Sequence, residues 1–364
     1  MSADTANPKT AEQLTAEYAA RHASYIELTN RTEALIVDLL NSRGIQVIQV
    51  ESRTKSVDSF AEKVRRKGRT MIDSLDAVTD LSGIRVITYY LEDVVRVSEM
   101  IHAEFEVDDV NSGDKVDSLA ADQFGYRSDH LVCRLNDGRR TLAEWSRYQD
   151  LCVEIQVRTA LQHAWAAVSH KVEYKRPEDS PERVRRQLYR LSALFELADE
   201  QFSALRDAGE EVQGAYEQKV RGGSLGVPLD SSSLQTYASL TNSLDSLAAA
   251  LTSAGIPLAD LEAVEHKDVN RDIADLVTFL RKVGFDTLQD LHDFVSKVDE
   301  VVQTGLVVWQ ACASENPEGL GTVFDALTQI AMVSLDDGDS LGRPTYTEEY
   351  SAALREARAR IKGT

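Results

Sequence analysis

Residues 152–158 read Cys152-Val153-Glu154-Ile155-Gln156-Val157-Arg158. Strict alternation is the two-residue period of a β-strand, so Val153, Ile155 and Val157 face one side and Glu154, Gln156 and Arg158 the other. The apolar side builds a core. A row of Glu, Gln and Arg on the opposite side is costly in a central strand unless it lines a cleft. Otherwise the strand is an edge with a wet face, or Glu154 is spent on a salt bridge to Arg85 or Arg158. Working outward, residues 84–90 and 130–135 read as further strands, and 45–55 alternates with β-branched residues. Helical spacing fills the intervals at 11–43, 56–68, 93–105 and 159–174, with Gly44 and Gly68 as stop signals. Interleaved helices and strands predict an α+β fold, a mixed sheet flanked by helices.

After Lys175 no convincing strand follows. A charged, Pro-containing turn leads into a helix striped with Leu188, Leu191, Leu194, Phe195, Ala198, Phe202 and Leu205. The Gly/Ser/Pro-rich residues 221–233 read as a linker, and 234–364 as amphipathic helices broken near Gly255, Gly284, Asn316 and Asp336. The expected organisation is therefore an α+β domain over 1–178, a helical extension over 179–220, the linker over 221–233, and an all-α domain over 234–364.

Charge narrows the partners. The 364 residues hold 40 Lys+Arg against 60 Asp+Glu, a net charge of −20, which opposes broad binding to nucleic acid or an anionic membrane. Between residues 51 and 70 the balance reverses, with Arg53, Lys55, Lys63, Arg65, Arg66, Lys67 and Arg69 outnumbering Glu51, Asp58 and Glu62. An anionic ligand belongs there. No apolar run approaches the ~20 residues of a membrane span and the N-terminus is polar, so a cytoplasmic protein with no membrane partner is expected. Cys133, Cys152 and Cys312 are odd in number and far apart, which predicts reduced thiols rather than disulfides or structural zinc.

Four polar side chains converge at one strand–helix junction. Arg53 and Lys55 are two apart on a strand, and Ser59 and Lys63 are four apart on the following helix, so each pair shares a face. The helix N-terminus adds free amides, which suits a polyphosphate; the alternative is a solvated basic helix face. Asp80 precedes the strand Gly83-Ile84-Arg85-Val86-Ile87. With Glu154 it forms the kind of carboxylate pair that Mg²⁺ uses when positions must stay open for phosphate oxygens. In the segment Phe124-Gly125-Tyr126-Arg127-Ser128-Asp129-His130, Tyr126 could stack on a nucleobase, with Arg127 or His130 reaching phosphate or ribose, or Tyr126 is a core residue. His163 and His170 share a helix face but lack the neighbouring Glu of a zincin, so no metal pair is expected there.

In order along the chain, these pieces resemble the synthetase domain of the RelA/SpoT alarmone synthetase family. The anchors are Arg53-Thr54-Lys55 with Ser59 and Lys63, then Asp80-Leu81-Ser82-Gly83-Ile84-Arg85-Val86-Ile87, then Gly125-Tyr126-Arg127-Ser128-Asp129-His130. The last is Glu154-Ile155-Gln156-Val157-Arg158-Thr159, followed by His170-Lys171-Val172-Glu173-Tyr174-Lys175. The resemblance implies a nucleotidyltransferase-like sheet over residues 1–178 and a pyrophosphokinase that moves the β,γ-diphosphate of ATP to the ribose 3′-hydroxyl of GDP or GTP. By the same resemblance, Arg53, Lys55, Ser59, Lys63 and Lys115 would bind ATP, and Asp80 and Glu154 would hold Mg²⁺. Glu154 would also take the proton from the attacking hydroxyl. Tyr126 would stack on the acceptor guanine, with His130, Gln156 and Arg127 orienting the acceptor.

Two departures bear on the acceptor: Asp122 stands where a second lysine is common, and Phe124 replaces an Asn before the glycine. The Phe-Gly-Tyr form resembles a subgroup that includes toxic small alarmone synthetases, some of which pyrophosphorylate the 3′ end of tRNA. A tRNA-directed toxin and a non-catalytic nucleotide-binding homologue are thus the alternatives to an alarmone synthetase. The acidic C-terminal helices are expected to serve a homo-oligomer or a regulatory partner.

Overall fold

In the computed structural model the described residues are 9–67, 72, 74–114, 128–172, 182–261, 263–335 and 346–363. The chain forms two compact units, Met1–Arg206 and Asp207–Thr364. The first unit runs α1 (Ala11–Ser42), β1 (Val47–Thr54), α2 (Val57–Lys67), β2 (Ser82–Thr88), α3 (Leu91–Glu104), β3 (Phe105–Val107), β4 (Gly113–Asp114) and β5 (Asp129–Leu135). It continues with the short α4 (Asp137–Arg140), β6 (Val153–Thr159), α5 (Ala160–Val172) and α6 (Glu182–Arg221), within which the division between the units falls.

The strands make one mixed sheet in the order β1-β2-β6-β5-β3, with β4 paired to β5. β2 and β6 are parallel, and the other pairs are antiparallel. Register explains the two faces. Ile84 lies beside Ile155, which lies beside Leu131, and all three are buried against apolar residues of α1 and α3 such as Tyr18, Leu28, Val97 and Met100. Shifting one residue along gives the opposite face, where Glu51, Arg85, Gln156 and His130 line up across four strands. The polar row of β6 is therefore central, not an edge. α1 starts at a Thr10–Gln13 capping box and ends at Gly44, whose φ of +61° suits a residue without a Cβ.

The expected strands and helices hold to within a few residues, and the short β3, β4 and α4 are additions. Phe105, read as the end of a helix, instead opens β3 and pairs with Leu135. The three cysteines are buried and unpaired, in line with reduced thiols.

The second unit contains α7 (Ser231–Leu240), α8 (Ser243–Ser253), α9 (His266–Lys282), α10 (Leu288–Val295), α11 (Val298–Cys312), α12 (Val323–Leu335) and α13 (Glu348–Lys362) around their own apolar core. Residues 221–233, read as a linker from composition, are tied into that core through Val227 and Leu229. Val227 and Leu229 are fully buried, Leu229 N–H donates to the Asp286 carbonyl, and the Val227 carbonyl accepts from Leu288 N–H. Two apolar side chains flanking Pro228 anchor a stretch whose glycines suggested freedom. No helix among the described residues is long and apolar enough to cross a membrane.

Candidate active site

The site is built where β1 hands over to α2, beside the ends of β2 and β6. Lys55 leaves β1 with its amide N–H bonded to the Leu81 carbonyl at 2.9 Å, which brings its side chain to Asp80. The Lys55 ammonium lies 3.0 Å from Asp80 Oδ2, and the Lys63 ammonium, from the second turn of α2, lies 2.7 Å from Oδ1. Each carboxylate oxygen thus faces its own cation. Burial pushes the Asp80 carboxyl up, but the hydrogen bonds and charge of Lys63 and Lys55 outweigh it and hold the group below its ordinary value.

The second carboxylate sits across the β2–β6 pair, where Gly83 is the register partner of both Arg53 and Glu154. A Cβ at Gly83 would meet nothing closer than the Arg53 carbonyl at 3.6 Å, so the floor between Arg53 and Glu154 is open for lack of a side chain. His130 Nδ1 donates to Glu154 Oε1 at 2.7 Å, and its Nε2 is 2.9 Å from Ser128 Oγ. Burial again works to raise the Glu154 carboxyl and is outweighed, here by the bond and charge of His130 and by the Gln156 amide, while Asp80 opposes. Arg158 donates to the Gln156 carbonyl oxygen, which leaves the amide nitrogen of Gln156 toward Glu154. Burial, reinforced by Arg85, brings the Arg158 guanidinium down to about 10.

Two cavities share these groups as a common wall. One, of about 670 Å³, is lined by Arg53, Lys55 and Arg85 together with Asp80, Glu154 and Gln156. The other, of about 430 Å³, is lined by Lys63, Asn111 and His130 together with the same Asp80, Glu154 and Gln156. Each is large enough for a small ligand. The structure therefore brings together Arg53, Lys55, Lys63, Asp80, His130, Glu154 and Gln156. Ser59 is set apart from them: it lies in the first turn of α2, its amide bonded to Ser56 Oγ at 3.2 Å, and it lines neither cavity. Lys115, Tyr126 and Arg127, with Asp122 and Phe124, lie outside the described residues.

Sequence reasoning missed a cavity role for Arg85 and Glu51, which pair at 2.7 Å in the larger cavity. Arg85 shares the strand face of Gly83, a signal present in the alternation of β2. Its partner across the sheet was not visible, because it depends on register.

Asp80 and Glu154 also fit a hard divalent cation: both are low-lying carboxylates, they feel one another's charge, and both border open space on two sides. Among the described residues no group of three or more His, Cys, Asp or Glu gathers as a metal cluster. A cation here would thus rest on two protein carboxylates and complete its shell with phosphate oxygens and water.

This constellation of cations and carboxylates around two cavities is of the kind that can take phosphate-bearing ligands. Residues 52–179 match the family described as "Region found in RelA / SpoT proteins". The chain is 32% identical over 173 residues to GTP pyrophosphokinase YjbM of Bacillus subtilis, covering 48% of this chain and 78% of that protein. It is 26% identical over 158 residues to GTP pyrophosphokinase YwaC of the same organism, covering 43% of this chain and 72% of the other. The crystal structure of small alarmone synthetase 1 from Bacillus subtilis bound to its product pppGpp aligns with a TM-score of 0.43 and 25% identity, over 53% of this chain and 97% of that one. The chain belongs to the RelA/SpoT family of synthetases.

Proposed function

We propose that this protein is a pyrophosphokinase that transfers the β,γ-diphosphate of ATP to the ribose 3′-hydroxyl of GDP or GTP. The observation that carries the reading is the shared wall: two cavities, one beside Arg53 and Lys55 and one beside His130, meet at Asp80, Glu154 and Gln156. A transfer between two nucleotides needs that layout, because the reacting atoms must meet while the remainder of each nucleotide lies on its own side.

In this reading Arg53 and Lys55 bind the donor phosphates, with Lys63 reaching them across the Asp80 carboxylate. Asp80 and Glu154 would hold Mg²⁺, which when bound would supply charge neutralisation on the transferring phosphates. Glu154 accepts the proton of the acceptor 3′-hydroxyl. The freed oxygen attacks the β-phosphorus, the bond from the β-phosphorus to the oxygen bridging it to the α-phosphate breaks, and AMP leaves with that oxygen. His130 stabilises the ionised form of Glu154 beforehand by donating from Nδ1, which fixes the carboxylate in place. Gln156, oriented by Arg158, keeps its amide nitrogen on the same carboxylate.

The test supplies the purified protein and Mg²⁺ with ATP labelled on its terminal phosphate, and offers GDP, GTP or deacylated tRNA in separate reactions. Label on the guanosine nucleotides is the expected result. Label on tRNA alone would replace this reading with the translation-toxin alternative, and no label in any reaction would leave a nucleotide-binding homologue.

A further inference from the structure

Lys55 is held from both ends of its backbone. Its amide bonds the Leu81 carbonyl, as described, and its own carbonyl accepts two bonds from α1: the Tyr18 hydroxyl at 2.5 Å and His22 Nε2 at 3.1 Å. Two donors use both lone pairs of a carbonyl, and an oxygen that only accepts places the proton of His22 on Nε2. Tyr18 is fully buried, its ring centroid 4.7 Å from that of Phe60 in α2 and 5.4 Å, edge-on, from that of His22. Phe60 in turn bonds its amide to the Ser56 carbonyl at 2.9 Å. One residue thus fastens α1, β1 and the start of α2, and it is the residue whose ammonium meets Asp80.

We propose that Tyr18 and His22 are positioning residues for the donor triphosphate: they lock the β1–α2 joint so that Arg53, Lys55 and Lys63 converge on the shared wall before ATP arrives. The inference rests on the pyrophosphokinase reading, and it deepens it by assigning the ATP side of the site a support 33 to 37 residues upstream in α1. The hydroxyl is the informative atom. Phenylalanine would fill the space against Phe60 equally well, so packing alone gives no reason for a buried oxygen at this position. Its bond is spent on the backbone of a phosphate-facing lysine. Preorganising a cationic cradle in this way spares the ordering cost that a loose joint would charge against ATP binding. His130, which lines only the smaller cavity, has no part in this clamp, whereas Arg53 and Lys55 line only the larger one, so the main effect should fall on the donor.

The experiment uses the full chain and titrates it calorimetrically with a non-hydrolysable ATP analogue and, separately, with GDP, both with Mg²⁺. Amide hydrogen exchange of residues 55–60 is followed in parallel. Tyr18→Phe is expected to weaken the ATP analogue about tenfold, leave GDP affinity within about twofold, and speed exchange in the first turn of α2. His22→Leu should do the same to a smaller extent, while His22→Gln, which keeps a donor, should restore most of the loss. Equal weakening of both nucleotides would overturn the proposal, as would unchanged ATP affinity with unchanged exchange. Should Tyr18→Phe fail to fold, the partly exposed His22 pair decides by the same criteria. A wild-type chain that binds neither nucleotide would defeat the pyrophosphokinase reading, and the exchange rates would still judge the clamp.

Discussion

The two units differ in where their polar groups face, although fully buried pairs such as Thr29–Ser82 and Thr159–Asp199 close on one another in the first unit too. In the first, the paired charges Lys55, Lys63, Asp80, His130 and Glu154 border open cavities, so each pairing can be exchanged for a ligand. In the second, such groups close on one another inside the helical core. Thr322 donates to the buried Asp272 at 2.8 Å, Tyr350 to Gln329 at 2.6 Å, and the Gln329 amide to the Leu320 carbonyl at 3.1 Å. These bonds hold the loop between α11 and α12, where Leu320 N–H bonds the Pro257 carbonyl at 3.0 Å. Polarity facing space serves chemistry, and polarity facing polarity serves shape.

The comparison is most easily broken in the first unit. Glu154→Gln keeps the size and one acceptor oxygen but removes the negative charge, so the rate of ATP-to-GDP transfer should fall by about a thousandfold or more. A variant that retained near-normal turnover would remove Glu154 from the chemistry.

The second unit should answer in stability rather than rate. Gly319 has φ +129°, and an added Cβ would stand 2.3 Å from the Pro257 carbonyl oxygen. Gly319→Ala should therefore cost about 3 kcal/mol in urea unfolding of the full chain. Transfer rates measured well below the unfolding midpoint should stay within about twofold of wild type. A large loss of activity without loss of stability would mean that the loop serves the chemistry after all.

The smallest effect expected is on acid stability. Asp80 and Glu154 are both held below their ordinary carboxylate values, so their pairings stabilise the fold fully above the unfolded-state values. That contribution disappears as pH falls through the depressed folded-state values. The melting temperature of wild type should accordingly drop more between about pH 6 and about pH 3.5 than that of Glu154→Gln, which has one such group fewer. Parallel curves would show that the Glu154–His130 pairing contributes nothing to acid stability.

How far the sequence reached follows from the range of the forces involved. Strand alternation is local, so Glu154 and Gln156 could be placed on one face from the heptapeptide alone, and the spacing of Arg53, Lys55 and Lys63 located the junction with α2. The same helical spacing put Ser59 on the face of Lys63, and its hydroxyl accepts from the Ser56 hydroxyl at the start of α2. Register is long-range, and it decided what local patterns could not: the Glu51–Arg85 pair and the row ending at His130. The clamp on Lys55 was invisible for a further reason, since the helical periodicity of α1 accounts for Tyr18 as an ordinary interior position and says nothing of what its hydroxyl or His22 bonds. In the second unit, composition suggested a linker at 221–233. Only the burial of Val227 and Leu229 against α10 and its flanks revealed a packed segment.

We propose that Asp80 and Glu154 jointly hold a divalent cation on the wall between the two cavities. Electron paramagnetic resonance of Mn²⁺, used in place of Mg²⁺, tests it directly on the full chain with and without a non-hydrolysable ATP analogue. Because Lys55 and Lys63 each pair with one oxygen of Asp80, weak Mn²⁺ binding alone is predicted. With the analogue, binding should exceed that of the analogue in free solution, and Asp80→Asn or Glu154→Gln should each remove the excess. Mn²⁺ binding that survived both substitutions unchanged would contradict it.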